Sequence, residues 1–175
     1  MQRSASRKSA DYHGSPRSLR TTDAVSLLKA DHRQVKQWFE QFQNAQSDDR
    51  KQDLAGKICK ALKVHTQIEE EIFYPAFQQA TGDDDVFHEA LIEHQGAKRL
   101  IAEIENSNIS DEFYCSKVKV LSEMIKHHVR EEEKPDGMFA GAKKSDMDLQ
   151  NIGRQLAKRK AELEADTGEG VQDAA

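Results

Sequence analysis

The sequence predicts an all-α protein: an up-down-up-down four-helix bundle with an additional C-terminal helix and a disordered N-terminal arm. Apolar residues recur in alternating steps of three and four along four segments, which is the spacing of one helix face. The short connections between these segments indicate antiparallel neighbours. Three prolines and nine glycines among 175 residues argue against a loop-rich all-β fold.

The composition excludes several classes of protein. Charged residues make up 33% of the chain and hydrophobic residues 37%, which is close to the limit at which a chain can still bury enough apolar surface to fold. No run approaches the roughly 20 apolar residues that span a bilayer, so we expect no membrane association. Two cysteines cannot form a disulfide framework, and we expect the protein in the reducing cytoplasm.

Charge and periodicity divide the chain into three regions. Residues 1–22 carry a net charge of +4 without apolar periodicity and are predicted to be a disordered basic arm. Residues 23–138 are predicted to form the bundle. Residues 139–175 are predicted to be a linker, an accessory amphipathic helix from Met147 to Leu163 and a frayed C-terminus. The body of the chain is acidic, so nucleic acid is not expected as the main partner. The sequence indicates no particular protein partner.

The four periodic segments have recognisable ends and apolar stripes. Thr22 or Asp23 is a candidate N-cap of the first segment, and Ser110 with Asp111 is a capping signal for the fourth. The segments run from about Asp23 to Gln46, from about Asp49 to Ala80, from the turn at residues 81–84 to Asn106, and from about Ser110 to Lys134. Their stripes read Leu28, His32, Val35, Phe39 and Phe42; Ile58, Leu62, His65, Glu69, Ile72 and Ala76; Phe87, Leu91, His94, Ala97, Ile101 and Ile104; and Val118, Leu121, Ile125, His128 and Glu132.

Each stripe is interrupted by residues of the types that bind metals. The interruptions are His32, His65, Glu69, His94, His128 and Glu132. Four of them form two His-x-x-x-Glu pairs, whose members lie one turn apart on the same helix face and can reach one ion. Counting from the turns at about 1.5 Å per residue places the candidates of the first three segments at one depth.

The third connection fits this common depth less well. His94 lies about 14 residues before the connection and His128 about 20 after it. We therefore expect an irregular loop at Ser107–Asp111, or a later start of the fourth helix, to absorb the difference.

A buried layer of four imidazoles and two carboxylates would be unstable without a ligand. Burying one unpaired polar group costs roughly 2–7 kcal/mol, and an isolated charge costs far more. Two divalent cations would offset this cost, and their charge exceeds that of the two glutamates, which suits a bridging hydroxide or oxide. Imidazole and carboxylate without thiolate suit iron better than structural zinc. We therefore predict two iron ions held by these six residues.

Some assignments stay open at this level. His127 and Glu131 repeat the spacing of His128 and Glu132, and we prefer the second pair because it continues the stronger apolar stripe. A lone histidine is more often a core or surface residue than a ligand. Tyr74 is interpreted as a packing residue. Four glutamates near the candidate ligands are interpreted as a solvated face: Glu70, Glu71, Glu131 and Glu133. One of them could hydrogen-bond a ligand histidine.

These segments resemble the hemerythrin-like HHE cation-binding domains of bacterial type. The matching stretches are LLKADHRQVKQWFEQF, HTQIEEEIFYPAF, EHQGAKRLIAEIE and HHVREEE, and together they cover roughly residues 24–135. The resemblance implies a four-helix bundle that holds a non-haem di-iron centre. It implies that His32, His65, His94 and His128 are terminal ligands and that Glu69 and Glu132 are bridging ligands.

The chain departs from the oxygen-carrying members of that family. Those members have two histidines four residues apart on the third helix, whereas here the positions four residues from His94 hold Ala90 and Lys98. The fourth helix also offers His-x-x-x-Glu rather than a histidine with a more distant aspartate. The resemblance therefore implies six ligands and more open coordination, which favours sensing or reactive chemistry over oxygen carriage.

We expect a protein that binds or senses a small diatomic or peroxide ligand (dioxygen, nitric oxide or peroxide) or that responds to iron status. A di-iron enzyme that consumes peroxide or nitric oxide is the first alternative, and a metal-free helical interaction module is the second. The sequence does not choose between sensor, enzyme and iron store, and it does not predict the oligomeric state.

Overall fold

The computed structural model describes residues 22–169, and every regular element in that range is helical. The helices are α1 (Ala24–Asn44), α2 (Asp48–Ile68), a π-helical turn (Glu69–Phe73), α3 (Tyr74–Thr81), α4 (Asp84–Glu105), α5 (Tyr114–Glu133), α6 (Met138–Lys144) and α7 (Leu149–Glu169). The predicted basic arm lies outside the described residues except for Thr22. Within the described range, no helix has the length and apolar character needed to cross a membrane.

Short polar side chains fix the starts of the first three bundle helices. Asp23 caps α1 by accepting a hydrogen bond from the backbone N–H of Ser26, which confirms one of the two predicted caps. Ser47 caps α2 and Asp83 caps α4 in the same way. Gly82 ends α3 in the left-handed conformation at φ 68°, which a residue without a Cβ adopts at no steric cost.

Four long helical segments, which we call rods, run along the bundle: α1, α2 with the π-helical turn and α3, α4, and α5. The π-helical turn shifts the buried face of the second rod by one residue. The predicted stripe continues from Glu69 to Ile72 and Ala76, but both of these side chains are only half-buried. Phe73 and Phe77 are buried instead. The wider turn, in which the N–H of Tyr74 bonds the Glu69 carbonyl, inserts one residue per turn relative to an α-helix. The stripe predicted from strict α-helical spacing is therefore wrong beyond Glu69.

The loop before α5 is longer than the capping signal suggests. Asp111 does not cap a helix; it accepts a hydrogen bond from the backbone N–H of Asn108 inside the loop. The helix begins at Tyr114, and Phe113 precedes it without a side-chain cap. His128 then lies about four turns into α5. This late start absorbs the mismatch in depth expected at the third connection.

The four long rods form the up-down-up-down bundle, and α6 and α7 close one of its ends. Around the bundle, α1 packs on α2, α2 on α4, α4 on α5, and α5 on α1. A short helix, α6, occupies the segment predicted as an irregular link, and it packs on α3 and α5. The predicted accessory helix is α7, which extends to Glu169 and packs on α1 and α2.

Buried apolar residues form two clusters along the bundle axis. The first cluster lies between the C-terminal halves of α1 and α4 and the N-terminal halves of α2 and α5. It includes Phe39, Leu54, Ile58, Ile101 and Leu121. The second joins the other ends of the rods to α6 and α7 and includes Leu28, Phe73, Phe77, Phe139 and Leu156. Along α1, Leu28 belongs to the second cluster and Val35 to the first, so the residues between them lie between the two clusters.

We predict that Leu156→Ala lowers the free energy of unfolding by about 3 kcal/mol, because Leu156 is fully buried in the second cluster and its truncation leaves a cavity. Chemical denaturation measures this change. Lys158→Ala, on the exposed face of the same helix, should change the free energy by less than about 0.5 kcal/mol. Equal effects of the two substitutions would contradict the packing of α7 on the bundle.

Candidate metal centre

All six candidate residues meet in one layer between the two apolar clusters, which we call the polar layer. It consists of His32, His65, Glu69, His94, His128 and Glu132, and every one of these residues is buried. Each long rod contributes to it: α1 one histidine, α2 and the π-helical turn a histidine and a glutamate, α4 one histidine, and α5 a histidine and a glutamate. The structure therefore brings together the six side chains that the sequence predicts to be ligands.

The layer contains two groups of potential ligand atoms that share Glu69. In the first group, Nε2 of His65 lies 3.0 Å from Nε2 of His32 and 3.2 Å from Oε2 of Glu69. In the second, Nε2 of His94 lies 3.1 Å from Nε2 of His128 and 3.4 Å from the same Glu69 oxygen. Oε2 of Glu132 lies 3.5 Å from Nε2 of His32 and 3.7 Å from Nε2 of His128, so it also faces both groups.

Every histidine of the polar layer turns its other ring nitrogen, Nδ1, towards a carboxylate outside the layer. The four Nδ1-to-oxygen pairs are His32 with Glu133 at 2.8 Å, His94 with Glu70 at 2.9 Å, His128 with Glu93 at 2.7 Å and His65 with Asp31 at 3.5 Å. Carboxylates in this position orient a metal-binding imidazole and raise its basicity. We call these four residues the outer carboxylates.

The outer carboxylates link the rods in a closed cycle. Asp31 on α1 faces the histidine of α2, Glu70 in the π-helical turn faces that of α4, Glu93 on α4 faces that of α5, and Glu133 on α5 faces that of α1. Each histidine is therefore oriented by a neighbouring rod and not by its own. The position of every inner nitrogen depends on the packing of two rods against each other.

The outer hydrogen bonds determine what the inner nitrogens present to each other. Interactions with His94 and Lys98 hold the pKa of Glu70 below its ordinary value, and His128 does the same for Glu93. Both carboxylates are therefore ionised acceptors, and Nδ1 of each ring carries the donated proton. In the neutral rings, the Nε2 atoms of His94 and His128 face each other with lone pairs at 3.1 Å. A metal ion between the two rings would relieve that contact, as would a proton on His128, whose pKa is raised, against the effect of burial, by the carboxylates of Glu132 and Glu93.

Burial disfavours charge in the polar layer itself. Desolvation raises the pKa of Glu69 well above its ordinary value, and the proximity of Glu132 adds to the rise. Burial lowers the pKa of His65 to about 4 and also lowers that of His94, whereas for His128 the effect of burial is outweighed by Glu132 and Glu93, which raise its pKa. The outer carboxylate Glu133 shows the opposite shift to Glu69, because the hydrogen bond from His32 lowers the pKa of Glu133 to about 2. A charged carboxylate inside the layer needs a cation beside it.

Unsatisfied polar atoms mark the same place. Among the described residues, five buried side-chain oxygen or nitrogen atoms have no hydrogen-bond partner, and four of these belong to the layer or to an outer carboxylate: Glu69 Oε1, Glu132 Oε2, His65 Nδ1 and Asp31 Oδ2. Buried polar groups are normally paired, because an unpaired one has lost its hydration. The donor set and its unsatisfied atoms fit a site for metal cations.

Tyr74 packs in the second apolar cluster, as predicted, and its hydroxyl also reaches the polar layer, which the sequence did not indicate. Its hydroxyl donates to Oε1 of Glu132 at 2.9 Å and lies 3.2 Å from Nε2 of His94. Burial raises the pKa of Tyr74 well above its ordinary value, with Glu132 and Glu69 adding to the rise, so the phenol remains protonated. The π-helical turn places this ring there, five residues after Glu69.

The structure separates the two candidate histidines of α5. The side chain of His128 is 5% exposed and lies in the layer, whereas that of His127 is 50% exposed and pairs with Glu93 at 3.1 Å. The choice of His128 with Glu132 therefore agrees with the burial of both residues. His88 is exposed. Cys59 lies in the first apolar cluster and Cys115 is exposed, so neither thiol reaches the layer.

A sequence signal for the outer carboxylates does exist. Each rod carries an acidic residue directly beside a candidate ligand: Asp31 before His32, Glu70 after Glu69, Glu93 before His94 and Glu133 after Glu132. Adjacent residues lie about 100° apart on a helix, so an acid next to an inward ligand faces the neighbouring rod. Asp31 and Glu93 lie beside the apolar stripes and not in them, so the periodicity of the stripes did not predict their role.

Comparisons with known proteins agree with this geometry. Residues 23–137 match the family described as Hemerythrin HHE cation binding domain. A relative from Nostoc sp. strain PCC 7120, named DNA nickase, is 30% identical over 107 residues, which are 61% of this chain and 30% of that longer protein. A crystal structure of a Hemerythrin HHE cation binding domain-containing protein from Mycobacterium kansasii gives a TM-score of 0.71 at 20% identity.

The crystal structure aligns over 86% of this chain and 93% of the other, and at that identity the likeness shows the fold alone. The family match is the stronger finding, because it covers well over half of the chain and includes every residue of the polar layer. The protein belongs to the hemerythrin HHE cation binding domain family.

Proposed function

We propose that this protein is a non-haem di-iron protein that binds or senses dioxygen, peroxide, nitric oxide or iron status. The observation that carries the proposal is the pair of facing ring nitrogens, 3.0 Å apart in one group and 3.1 Å in the other, with an oxygen of Glu69 beside both groups. Two nitrogens that bind one ion at about 2.1 Å and at right angles are about 3.0 Å apart. The two groups therefore support two cations.

The chemistry of the donor set supports iron as the metal. His32 and His65 would hold one ion and His94 and His128 the other, with Glu69 and Glu132 shared between them. Four imidazoles and two carboxylates without a thiolate suit iron better than a structural zinc ion. When bound, iron would supply a redox-active centre with coordination positions open to a small ligand. The two free cysteines support a reducing, cytoplasmic location.

The surrounding residues define what this chain itself contributes. The outer carboxylates hold the protons of the Nδ1 atoms and keep the Nε2 lone pairs directed inward. The apolar clusters flank the layer on either side, and its side chains are buried, so bulk water has little contact with them. The ring of Phe139 stacks on His32 with centroids 5.7 Å apart, so α6 covers the layer on that side. A small uncharged ligand suits so dry a site.

The second candidate function is an enzyme that consumes peroxide or nitric oxide, and Tyr74 is the observation that favours it. Its phenol is a protonated donor 2.9 Å from Glu132, inside a layer that otherwise offers only potential ligands. Such a group can deliver a proton to a reacting oxygen. The nicking of DNA named for the Nostoc relative is not proposed here, because the matched stretch is 30% of that protein.

We predict that the purified chain takes up about two iron ions when Fe²⁺ is added without oxygen, because the polar layer offers two groups of ligands. At a free iron concentration 100 times the Kd of a site, each bound ion should add about 2.7 kcal/mol to the free energy of unfolding. Metal analysis and thermal denaturation measure both effects. Less than about one iron per chain with an unchanged Tm would instead support a metal-free helical interaction module.

A matched pair of substitutions on α5 tests the ligand assignment. We predict that His128→Ala lowers the iron content to about one ion per chain or less, because it removes an inward nitrogen. His127→Ala should leave the iron content unchanged, since that side chain is half exposed and outside the layer. Metal analysis after gel filtration compares the two variants. Loss of iron from His127→Ala alone would reverse the assignment.

We predict that Tyr74→Phe separates the two candidate functions. For an enzyme, the loss of the phenolic proton should lower peroxide turnover per bound iron by about 100-fold while iron stays bound. For a sensor, iron content and ligand affinity should change little. Tyr114→Phe is the control, because Tyr114 is also buried but lies in the first apolar cluster. Turnover that is unrelated to iron loading in the wild type would exclude the enzyme.

A further inference from the structure

The C-terminal helix α7 reaches the polar layer through one side chain. Nζ of Lys160 donates to Oδ1 of Asp31 at 2.5 Å, and the other oxygen of Asp31 faces Nδ1 of His65 at 3.5 Å. Lys160 is largely covered, with 28% of its side chain exposed, and Asp31 is 15% exposed. A chain of contacts therefore runs from α7 through an outer carboxylate to a histidine of the layer.

The other three outer carboxylates have their second partner inside the four-helix bundle. Lys29 on α1 pairs with Glu133 at 2.9 Å, Lys98 on α4 pairs with Glu70 at 2.6 Å, and His127 on α5 faces Glu93 at 3.1 Å. Only Asp31, among these four, is completed by a residue beyond the bundle. The set of outer carboxylates with their second partners is therefore incomplete without α7.

The contact between Asp31 and His65 is also the weakest of the four. Its 3.5 Å separation exceeds the 2.7–2.9 Å of the other three pairs. Neither Oδ2 of Asp31 nor Nδ1 of His65 has a hydrogen-bond partner within the described part of the chain. His65 is thus the histidine whose orientation depends most on what else holds its carboxylate in place.

We propose that Lys160 is a positioning residue for His65, and that the iron group formed by His32, His65 and Glu69 binds more tightly because Lys160 holds Asp31, whereas the group formed by Glu69, His94 and His128 does not depend on Lys160. This inference rests on the proposed di-iron function. Without the ammonium group, the Asp31 carboxylate has no partner on its Oδ1 side and can turn towards water. His65 then loses the charge that fixes its ring and raises its basicity.

Docking of α7 does not itself depend on Lys160. Ile152 and Leu156 are buried in the second apolar cluster. Arg159 forms a bidentate ion pair with Glu71, in which Nε lies 2.7 Å from Oε2 and Nη2 lies 3.2 Å from Oε1. These contacts remain when Lys160 is replaced. A substitution at Lys160 therefore tests the link to His65 and leaves the helix in place.

The test measures stepwise Fe²⁺ affinity of the full-length chain without oxygen, in competition with a chelator, for wild type and Lys160→Met. We expect one of the two dissociation constants to rise by about tenfold and the other to stay unchanged. Loss of a residue that hydrogen-bonds a metal ligand weakens metal affinity by roughly 10- to 100-fold, and we expect the lower value. Lys160→Arg should restore most of the lost affinity, because it keeps a cation beside Asp31.

Two neighbouring substitutions on α7 serve as matched controls. Lys158→Met removes an exposed lysine two residues away. Arg159→Met removes the ion pair between α7 and Glu71 and leaves Asp31 unchanged. Both should leave the two dissociation constants unchanged. If Arg159→Met lowers the affinity as much as Lys160→Met, the effect comes from general loosening of α7 and the positioning role is wrong.

Hydrogen exchange supplies a readout other than metal affinity. Because coupling between two sites is reciprocal, iron binding should slow amide exchange in α7 of the wild type and do so less in Lys160→Met. Should Lys160→Met fail to fold, Asp31→Asn tests the same link with the lysine retained, and it should weaken the same iron site.

The outcomes separate this inference from the function on which it rests. A wild type that binds no iron overturns the proposed function and the inference together. A wild type that binds two iron ions, with equal affinities in wild type and in Lys160→Met, overturns the inference alone. Weakening of both iron sites to the same extent would also overturn it, since the second group has no contact with Lys160.

Discussion

The facing imidazole nitrogens of the polar layer are the constraint on which the rest of the structure depends. Four rings and two carboxylates occupy positions that apolar side chains would fill in an ordinary bundle, and they divide the core into two clusters. With the outer nitrogens of His94 and His128 bonded to carboxylates, the inner ones present lone pairs to each other. A metal cation between these nitrogens would relieve the contact, so we expect metal binding to stabilise the folded state.

The outer carboxylates make this chemistry a property of the whole bundle. Because every histidine is oriented from a neighbouring rod, a shift of any rod displaces an inner nitrogen as well as an apolar contact. The same arrangement explains why many charged residues crowd around the layer. Those charges are not only a solvated face: Glu70, Glu93 and Glu133 are partly covered and have pKa values held down by the histidines they face.

Irregular elements complete the centre where regular helices would not. The π-helical turn moves Phe73 and Phe77 into the second cluster and directs the Tyr74 hydroxyl at Glu132. Gly137 permits the close turn after α5, since a Cβ there would lie 2.2 Å from the backbone oxygen of Glu131. That turn brings Phe139 of α6 against His32, and α7 then lies across α1 and α2.

The sequence by itself determined the fold class, the approximate extent of the first three long helical segments and the six residues that meet in the polar layer, because helical periodicity is a local property and a histidine in an apolar stripe is conspicuous. It placed the start of α5 too early. It also favoured His128 over His127 from the stripe alone. It did not predict the π-helical turn, since the stripe was extended with strict α-helical spacing.

Only the tertiary structure paired Asp31 with His65 and Glu93 with His128, directed Tyr74 into the layer and placed Lys160 beside Asp31. These contacts join residues on different rods, or on α7 and the bundle. Their geometry follows from how the helices pack, which no spacing within one helix contains.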